Sequence, residues 1–460
     1  MKQIQRVFAA VLSALFTTTL FANISVPAVF ADHMVLQQQS NIKLWGWGKP
    51  LEKVKVTVGW NVDTLNTVVD NQGHWMVEIQ TPEAGGPYEI KMQGYNEVIL
   101  KDIMIGEVWL LSGQSNMEWT TRGGITTKED AIKEADLPNI RLFTVTPRTA
   151  LAPTHDVSGE WAICTPETML DFSSVGYYFG KILNKNLDVP IGLVCSSWGG
   201  TPAEVWMSED VINSDPYLLK SAQSLEPVPW GPVEPGRAYN AMIAPMIPFN
   251  FAGVLWYQGE ANTANPATYT EMLQMLIKSW RNDFDKDLPF YFAQIAPWKD
   301  YGGTTGVEIR EAQRRALSLD NTGMIVTSDI GDTVDIHPRN KKDVGIRFAN
   351  LALHKTYGKT DLPVFGPLYS SYEVKGKKVT VLFDHADGLN VKGDALSLFE
   401  IKDEEGNWHT AKAKVRKNTI VLSSIVKSPQ AVRFAWSNAA TPGLFNSDGL
   451  PASCFNSDIK

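Results

Sequence analysis

Four short strings of polar and small residues each follow an apolar run, and together they hold the groups that acyl transfer requires. They occupy residues 112–117, 196–201, 258–262 and 329–338. They contain serine hydroxyls, a glycine pair, side-chain amides and a histidine with nearby acids. A serine becomes a nucleophile beside a base such as histidine, and a carboxylate fixes the tautomer of that base. The strings therefore favour nucleophilic acyl transfer.

The tetrahedral intermediate of acyl transfer also needs hydrogen-bond donors aimed at its oxyanion, each worth roughly 3 kcal/mol. The backbone N–H groups of Ser115 and Gly200 are candidates, together with a side-chain amide from either Gln258 or Asn262. Taken alone, Ser115 could be a helix cap, and Gly199 with Gly200 could be a tight turn. It is the shared position of the strings after apolar runs that supports a common site.

The apolar runs alternate with helical patterns between residues 101 and 358. Several runs are apolar at consecutive positions, which is typical of buried parallel strands. Met272, Leu276 and Trp280 recur at helical spacing. Helices are predicted over 175–187, 269–284, 308–319 and 343–357. This alternation predicts an α/β region with a parallel sheet and helices on both faces, whose ligand site lies at the carboxyl ends of the strands.

The flanking regions have the pattern of β structure. Residues 54–58 and 378–383 alternate apolar with polar, as half-buried strands do. The turn residues 70–73 predict a hairpin between Val68 and Trp75. We therefore expect a β domain over 23–100, an α/β domain over 101–358 and a second β domain over 359–460, each β domain resembling a small sandwich.

Composition excludes several classes of protein. The chain has 460 residues, with 42 Lys and Arg against 50 Asp and Glu, a net charge of −8. An acidic chain gains little from binding a polyanion, so a nucleic acid partner is not expected. Three cysteines without C-x-x-C spacing, and no H-E-x-x-H string, give no indication of a metal site, and no cofactor is predicted.

The first residues have the pattern of a secretory signal peptide. Lys2 and Arg6 precede an apolar stretch over residues 7–20, and Phe21-Ala22 could precede cleavage. A single membrane anchor is the alternative. No later stretch approaches ~20 apolar residues. We expect residues 1–22 to be the signal, and the mature chain to be periplasmic or extracellular without a membrane span. The oligomeric state is left open.

Residues 106–117, 198–201, 256–260 and 336–341 resemble the sialate O-acetylesterase family of SGNH (GDSL-like) hydrolases. The resemblance extends along nearly the whole mature chain, including residues 34–37 and 449–453. It implies a flavodoxin-like esterase domain and a carboxylic ester hydrolase. The implied reaction removes O-acetyl groups from sialic acids through an acetyl-enzyme intermediate.

The resemblance also implies roles for particular residues. Ser115 would be the nucleophile and His337 the base. Many SGNH enzymes place the acid three residues before the histidine, where this chain has Val334. Asp335 is the first choice for the acid, and Asp332 is the reserve. A Ser-His pair whose imidazole is held by a backbone carbonyl is the other arrangement left open. The usual Gly-x-Asn-Asp string is also altered here to Gln-Gly-Glu at 258–260. The resemblance therefore does not decide whether Gln258 or Asn262 completes the oxyanion hole.

A sialic acid carboxylate would suit a bidentate arginine, and Arg122 is the first candidate, followed by Arg281, Arg310, Arg314 and Arg339. Three alternatives remain. One is an acetylesterase acting on another polysaccharide, such as acetylated xylan or pectin. Another is a non-catalytic glycan-binding protein that uses the two β domains as binding modules. The third is a thioesterase or lipase.

Overall fold

The strands of the first region alternate buried and exposed side chains, as the sequence predicts. In the computed structural model, which describes residues 23–459, Val54, Val56 and Val58 point inward from one such strand. The predicted signal peptide lies outside the described residues. Seven strands form this region: β1 (Val35–Gln37), β2 (Asn41–Trp47), β3 (Lys53–Val58), β4 (Thr64–Val68), β5 (His74–Gln80), β6 (Gly85–Gln93) and β7 (Glu97–Gly113).

The predicted hairpin around residues 70–73 is wrong in its pairing. These residues do form a turn, in which Gly73 N–H donates to the carbonyl of Asp70. However, β4 pairs with β3, and β5 pairs with β2. Turn chemistry is local, whereas the choice of partner strand depends on burial across the two layers.

The long strand β7 belongs to both the first region and the central region. Its first half pairs antiparallel with β6 and in parallel with β1. Its second half, from Glu107, lies in the centre of the parallel part of the same large sheet. The strand therefore crosses the expected boundary at residue 100, and the expected domain limits stay a prediction. The fold as a whole is mixed α/β, with one 11-stranded mixed sheet and several smaller sheets.

The central part of the large sheet is parallel, and it carries the four polar strings at its strand ends. Its further strands are β8 (Leu137–Thr144), β9 (Trp161–Cys164), β10 (Ile191–Ser197), β11 (Gly253–Tyr257), β12 (Phe290–Ala293) and β13 (Thr322–Ile325). The order is β13-β12-β11-β7-β10-β8-β9, and only the β8–β9 pairing along it is antiparallel.

Helices cover both faces of this sheet, as the alternation of strands and helices predicts. They are α1 (Ser115–Glu118), α2 (Lys128–Lys133), α3 (Pro166–Met169), α4 (Ser174–Leu187), α5 (Glu209–Asn213), α6 (Pro216–Ala222), α7 (Arg237–Met242), α8 (Tyr269–Asp283), α9 (Thr305–Ala316) and α10 (Lys341–Lys355). Short 3-10 helices span Ala203–Trp206, Ala244–Met246, Glu260–Ala264, Pro266–Thr268 and Ala395–Leu398.

Alternate side chains of β7 enter two different cores. Val108 and Leu110 pack into the core that holds α8, whereas Trp109 and Leu111 pack into the core that holds α4 and α10. Within residues 23–459, no helix is both long enough and apolar enough to cross a bilayer. The three cysteines are free and buried.

The last region is again β structure, in ten short strands. They are β14 (Leu368–Lys375), β15 (Lys378–Asp384), β16 (Asn390–Val391), β17 (Phe399–Lys402), β18 (Trp408–Thr410), β19 (Lys412–Arg416), β20 (Thr419–Ser423), β21 (Ala431–Phe434), β22 (Leu444–Phe445) and β23 (Phe455–Asn456). Asn438 joins this region to the start of α9: its side chain accepts from Gly306 N–H and Val307 N–H and donates to the carbonyl of Tyr301.

Candidate active site

Ser115 and His337, which are 222 positions apart in the chain, meet at the carboxyl edge of the parallel sheet. Ser115 begins α1 directly after β7, and His337 lies on the loop between β13 and α10. The Oγ of Ser115 lies 2.8 Å from Nε2 of His337. The indole of Trp119 stacks on the imidazole, with ring centres 4.7 Å apart and planes at 22°. A partly exposed hydroxyl is thus hydrogen-bonded to an oriented base, which is the arrangement that activates a serine.

The sharp turn after β7 places Ser115 at this edge. Gly113 has φ of +129°, and a Cβ on it would lie 2.2 Å from the carbonyl oxygen of Tyr257. Only glycine fits such a close approach between neighbouring strand ends. Gln114 then fastens the turn to the end of β11: its N–H donates to the Tyr257 carbonyl, and its Oε1 accepts from Ala261 N–H at 3.2 Å.

The candidate acids contact the loop backbone. Oδ1 of Asp335 accepts the backbone N–H of His337 at 2.9 Å. Oδ1 of Asp332 accepts the N–H of Val334 at 2.9 Å. In the part of the chain that the structure describes, no carboxylate is hydrogen-bonded to the imidazole ring. The negative charge of Asp335 nevertheless acts on the ring by raising its pKa. The role of Asp335 as the acid stays a prediction.

Burial and a nearby positive charge favour the neutral form of the His337 imidazole. Burial lowers its pKa below the ordinary value of 6.5, and the nearby charge of Lys341 lowers it further, against the opposing effect of Asp335. A neutral ring with its proton on Nδ1 can accept the hydroxyl proton of Ser115 at Nε2. The lowered pKa therefore extends the range over which His337 can serve as a base toward acidic pH.

A buried polar cluster lies directly behind the pair. Nδ2 of Asn116 donates to Oε1 of Glu260 at 2.6 Å and to the carbonyl of Ile336 at 3.0 Å. Its Oδ1 accepts from Nζ of Lys341 at 2.6 Å. Burial lowers the pKa of Lys341 to about 7 and raises the pKa of Glu260. Because Asn116 follows Ser115 and Ile336 precedes His337, this cluster ties the two loops of the pair together.

The glycine turn after β10 forms the opposite wall of the site. Gly199 N–H donates to Oε2 of Glu118 at 2.6 Å, and burial raises the pKa of that carboxyl. A Cβ on Gly199 would lie 3.3 Å from Cβ of Ser115, so the turn adjoins the nucleophile. Among the described residues, the N–H groups of Ser115 and Gly200 have no acceptor. Both predicted backbone donors are therefore unpaired beside the hydroxyl.

The two candidate amides lie behind this wall and are committed to other partners. Nε2 of Gln258 donates to the carbonyl of Thr201 and to Oδ1 of Asn262. Nδ2 of Asn262 donates to Glu204 and to Asn265. Each amide nitrogen has two hydrogens, so neither has one left for an oxyanion in this arrangement. Their oxyanion role stays a prediction, and the structure gives them the task of supporting the segment that follows Gly200.

Arg122, the first candidate for a substrate carboxylate, is already paired. Its Nε and Nη2 donate to both oxygens of Asp171 at 2.6 and 2.8 Å, in an exposed ion pair. Arg339 is exposed, and its Nη1 lies 2.7 Å from the position of a Cβ on Gly124. Its guanidinium has no acceptor within residues 23–459. Among the candidate arginines, Arg339 is therefore the nearest to His337 in sequence, and its guanidinium is open to a substrate carboxylate.

Sequence reasoning gave no role to Asn116, Lys341, Glu260 or Glu118. Asn116, Lys341 and Glu260 lie within residues 106–117, 336–341 and 256–260, the segments that resemble the family. Their position in these segments was therefore a signal of a role at the site. A lysine or glutamate in a loop string is normally read as solvated, and burial of such groups is set by the tertiary fold. Among residues 23–459, no group of three or more His, Cys, Asp or Glu side chains is arranged to hold a metal ion.

Comparison with known proteins decides the family. The family described as carbohydrate esterase, sialic acid-specific acetylesterase, matches residues 105–354, which is more than half of the chain. The chain belongs to this family. The sialate O-acetylesterase family member from Homo sapiens is 29% identical over 474 residues, covering 92% of this chain and 90% of the human protein. The sialate O-acetylesterase of Rattus norvegicus is 30% identical, with 88% of each chain covered.

A solved structure agrees with this assignment. The crystal structure of a carbohydrate acetylesterase from Xanthomonas citri is 34% identical, with a TM-score of 0.86 over 95% of this chain and 99% of that one. This member of the sialic acid-specific acetylesterase family is a carboxylic ester hydrolase. The predicted family and enzyme class are thereby confirmed.

Proposed function

We propose that Ser115 and His337 remove O-acetyl groups from sialic acids through an acetyl-enzyme intermediate. The observation that carries the proposal is the 2.8 Å contact between Oγ of Ser115 and Nε2 of His337. The unpaired N–H groups of Ser115 and Gly200 lie beside that hydroxyl. Nucleophile, base and two oxyanion donors are the groups that ester hydrolysis by a serine requires.

Acylation begins when Oγ attacks the acetyl carbonyl carbon and its proton passes to Nε2 of His337. The carbonyl oxygen becomes an oxyanion, which the N–H groups of Ser115 and Gly200 stabilise. Collapse of the intermediate breaks the bond to the sugar oxygen, and the imidazolium returns its proton to that oxygen. The sugar leaves with a free hydroxyl, and the acetyl group remains on Ser115.

Deacylation repeats these steps with water. His337 takes a proton from water, the resulting hydroxide attacks the acetyl carbonyl, and Ser115 leaves as the hydroxyl when the imidazolium protonates it. Acetate is the second product. The stack of Trp119 on the imidazole holds the ring in one plane throughout, so Nε2 faces Oγ, water and the leaving oxygen in turn.

We also propose that the central sheet is an SGNH-type, flavodoxin-like sheet flanked by sandwich-like β regions. When the edge strands β8 and β9 are set aside and counting starts at β7, the spatial order β10-β7-β11-β12-β13 is the doubly wound order 2-1-3-4-5. The order reverses between β10 and β11, on either side of β7. Ser115 follows β7 directly, so it stands at the switch point where ligands bind in such sheets.

For the substrate carboxylate, the proposal favours Arg339 over Arg122. A bidentate pair with a carboxylate needs an open guanidinium fork, and Asp171 occupies that of Arg122. Arg339→Gln should raise KM for an acetylated sialic acid about tenfold, while KM for a neutral acetylated sugar stays unchanged. Equal effects on both substrates would contradict this role. Arg122→Gln is the matched control.

The main test is hydrolysis by Ser115→Ala and His337→Ala. Each should reduce acetate release from 9-O-acetylated sialic acid by about 10³-fold or more, with folding retained. Unchanged turnover by Ser115→Ala would overturn the proposal and return the protein to the class of glycan-binding modules. If the intact enzyme instead prefers acetylated xylan, the mechanism stands, and the substrate is an acetylated polysaccharide and not a sialic acid.

Export is a further part of the proposal. It is supported by the basic start, the apolar stretch and Phe21-Ala22 in residues 1–22. N-terminal sequencing of the protein recovered from the producing cell should give a chain that begins near residue 23. Recovery of the chain with Met1 intact from the cytoplasm would contradict export.

A further inference from the structure

Trp230 is a large aromatic side chain that is 60% exposed beside the candidate active site. Tryptophan is on average highly buried, because its ring removes much apolar area from water. A Cβ on Gly200 would lie 2.3 Å from both Cδ1 and Nε1 of Trp230. The edge of the indole therefore lies directly against Gly200, the second glycine of the turn beside Ser115, while much of the ring stays in solvent.

The loop that carries Trp230 is rigid. Prolines at positions 227, 229, 232 and 235 fix the backbone φ around it. Val228 and Gly231 form an antiparallel bridge across the turn. Nε1 of Trp198 donates to the Trp230 carbonyl at 3.0 Å. The backbone that carries the exposed ring is thus constrained before any ligand arrives, so little backbone entropy is lost when one binds.

The ring continues a wall that starts at the nucleophile. Cβ of Ser115 adjoins Gly199, Gly199 is followed by Gly200, and the indole lies against Gly200. An acetyl group bonded to Oγ reaches only two bonds beyond that oxygen, so it stays beside the two glycines. The indole adjoins the second of these glycines, so the larger alcohol part of the ester can reach it.

We propose that Trp230 is a binding platform for the apolar C–H face of the sugar ring whose acetyl group reacts at Ser115. This inference rests on the proposed function. The ligand class is the ring of an acetylated monosaccharide, which has an apolar C–H face and polar hydroxyl edges. Stacking removes both apolar faces from water and leaves the hydroxyls hydrated. Trp230 then selects ring-bearing esters over simple alkyl esters.

The test compares two esters and three variants. The esters are 9-O-acetylated sialic acid and ethyl acetate, which has no ring to stack. The variants are Trp230→Ala, Trp230→Phe and the control Tyr95→Ala. Tyr95 is equally exposed, at 61%. It lies at the opposite end of the long strand β7 from the nucleophile, since Tyr95 precedes the strand by two residues and Ser115 follows it by two. Folding of each variant is checked by thermal unfolding.

Trp230→Ala should lower kcat/KM for the sugar ester roughly 10- to 50-fold, chiefly through KM, and leave ethyl acetate unchanged. Trp230→Phe should restore most of the loss, because it keeps an aromatic face. Tyr95→Ala should match the parent enzyme on both esters.

Equal losses of kcat/KM on both esters in Trp230→Ala would overturn the inference and show that Trp230 only supports the glycine turn. Unchanged kcat/KM on the sugar ester would overturn it as well. Failure of the proposed function would be seen separately, as ethyl acetate hydrolysis that survives Ser115→Ala.

Discussion

Replacing Lys341 by Met should move the acid limb of the pH–rate profile to higher pH. The charge of Lys341 is one of the causes that lower the pKa of His337. The pKa of Lys341 itself is lowered to about 7, so most of this lysine carries its charge below pH 6.5, the ordinary pKa of an imidazole. Removing the charge makes the imidazolium easier to form. His337 then loses its function as a base at a higher pH than in the parent enzyme.

The structure sets the size of this change. Nζ of Lys341 lies 5.8 Å from the ring centre of Trp119, which lies 4.7 Å from the imidazole centre, so the two groups are at most roughly 10 Å apart. At an effective dielectric constant of about 20, two unit charges at this distance interact by about 1.7 kcal/mol. The imidazole is only half buried, and solvent screens part of this energy. We therefore expect the midpoint of the acid limb to rise by about 0.5 to 1 pH unit.

The assay is kcat/KM for a simple acetyl ester between pH 4 and 9, because this ratio reports the ionisation of the free enzyme. Asp335→Asn provides the opposite perturbation. Its carboxylate raises the pKa of His337, so its loss should move the limb to lower pH, while the amide oxygen can still accept His337 N–H. Opposite displacements in two folded variants cannot come from general damage to the site.

The reasoning would be refuted if Lys341→Met folded normally and left the acid limb in place or moved it downward. Either result would mean that the charge of Lys341 does not reach the imidazole. A fall in kcat without any displacement would instead assign Lys341 only the task of holding Asn116 through its 2.6 Å hydrogen bond.

Two further predictions concern the walls of the site. Glu118→Ala removes the acceptor of Gly199 N–H and should lower kcat about tenfold on a simple acetyl ester. Glu118→Gln keeps an acceptor oxygen and should lower kcat less. Equal losses of kcat in the two variants would count against positioning of the turn by this hydrogen bond. Gly113→Ala places a Cβ 2.2 Å from the Tyr257 carbonyl oxygen and should reduce the free energy of unfolding by about 3 kcal/mol or more in denaturant titrations. Gly302→Ala, where a Cβ meets open space, is its control, and similar values for both would contradict the close approach.

The sheet was predictable because its apolar runs report burial directly. Residues 254–257 and 191–195 are apolar with almost no interruption, and both strands are fully buried. Helix limits were less predictable. The helix expected from residue 308 begins at Thr305, and the one expected from residue 343 begins at Lys341, four residues after His337. Asn340, which caps this second helix, accepts from Asp343 N–H.

The site was predictable where a residue's chemistry and its strand-end position agree, as for Ser115 and His337. It was not predictable where burial reverses the usual behaviour of a side chain. Gln258 resembles a free loop amide in sequence, yet it is fully buried and hydrogen-bonded to the protein. Lys341 resembles a solvated lysine, yet it lies inside the cluster behind the pair. Trp230 stands in a proline-rich loop without periodicity, so no pattern marks its exposure.

The central claim is that Ser115 accepts the acetyl group, and mapping that group tests it most directly. The enzyme is mixed with excess aryl acetate, quenched in acid during turnover and digested for peptide mass spectrometry. We expect one added acetyl group on the peptide that carries Ser115, and none when Ser115→Ala is treated in the same way. An acetyl group that accumulates on another residue, while Ser115 stays unmodified during turnover, would contradict the mechanism.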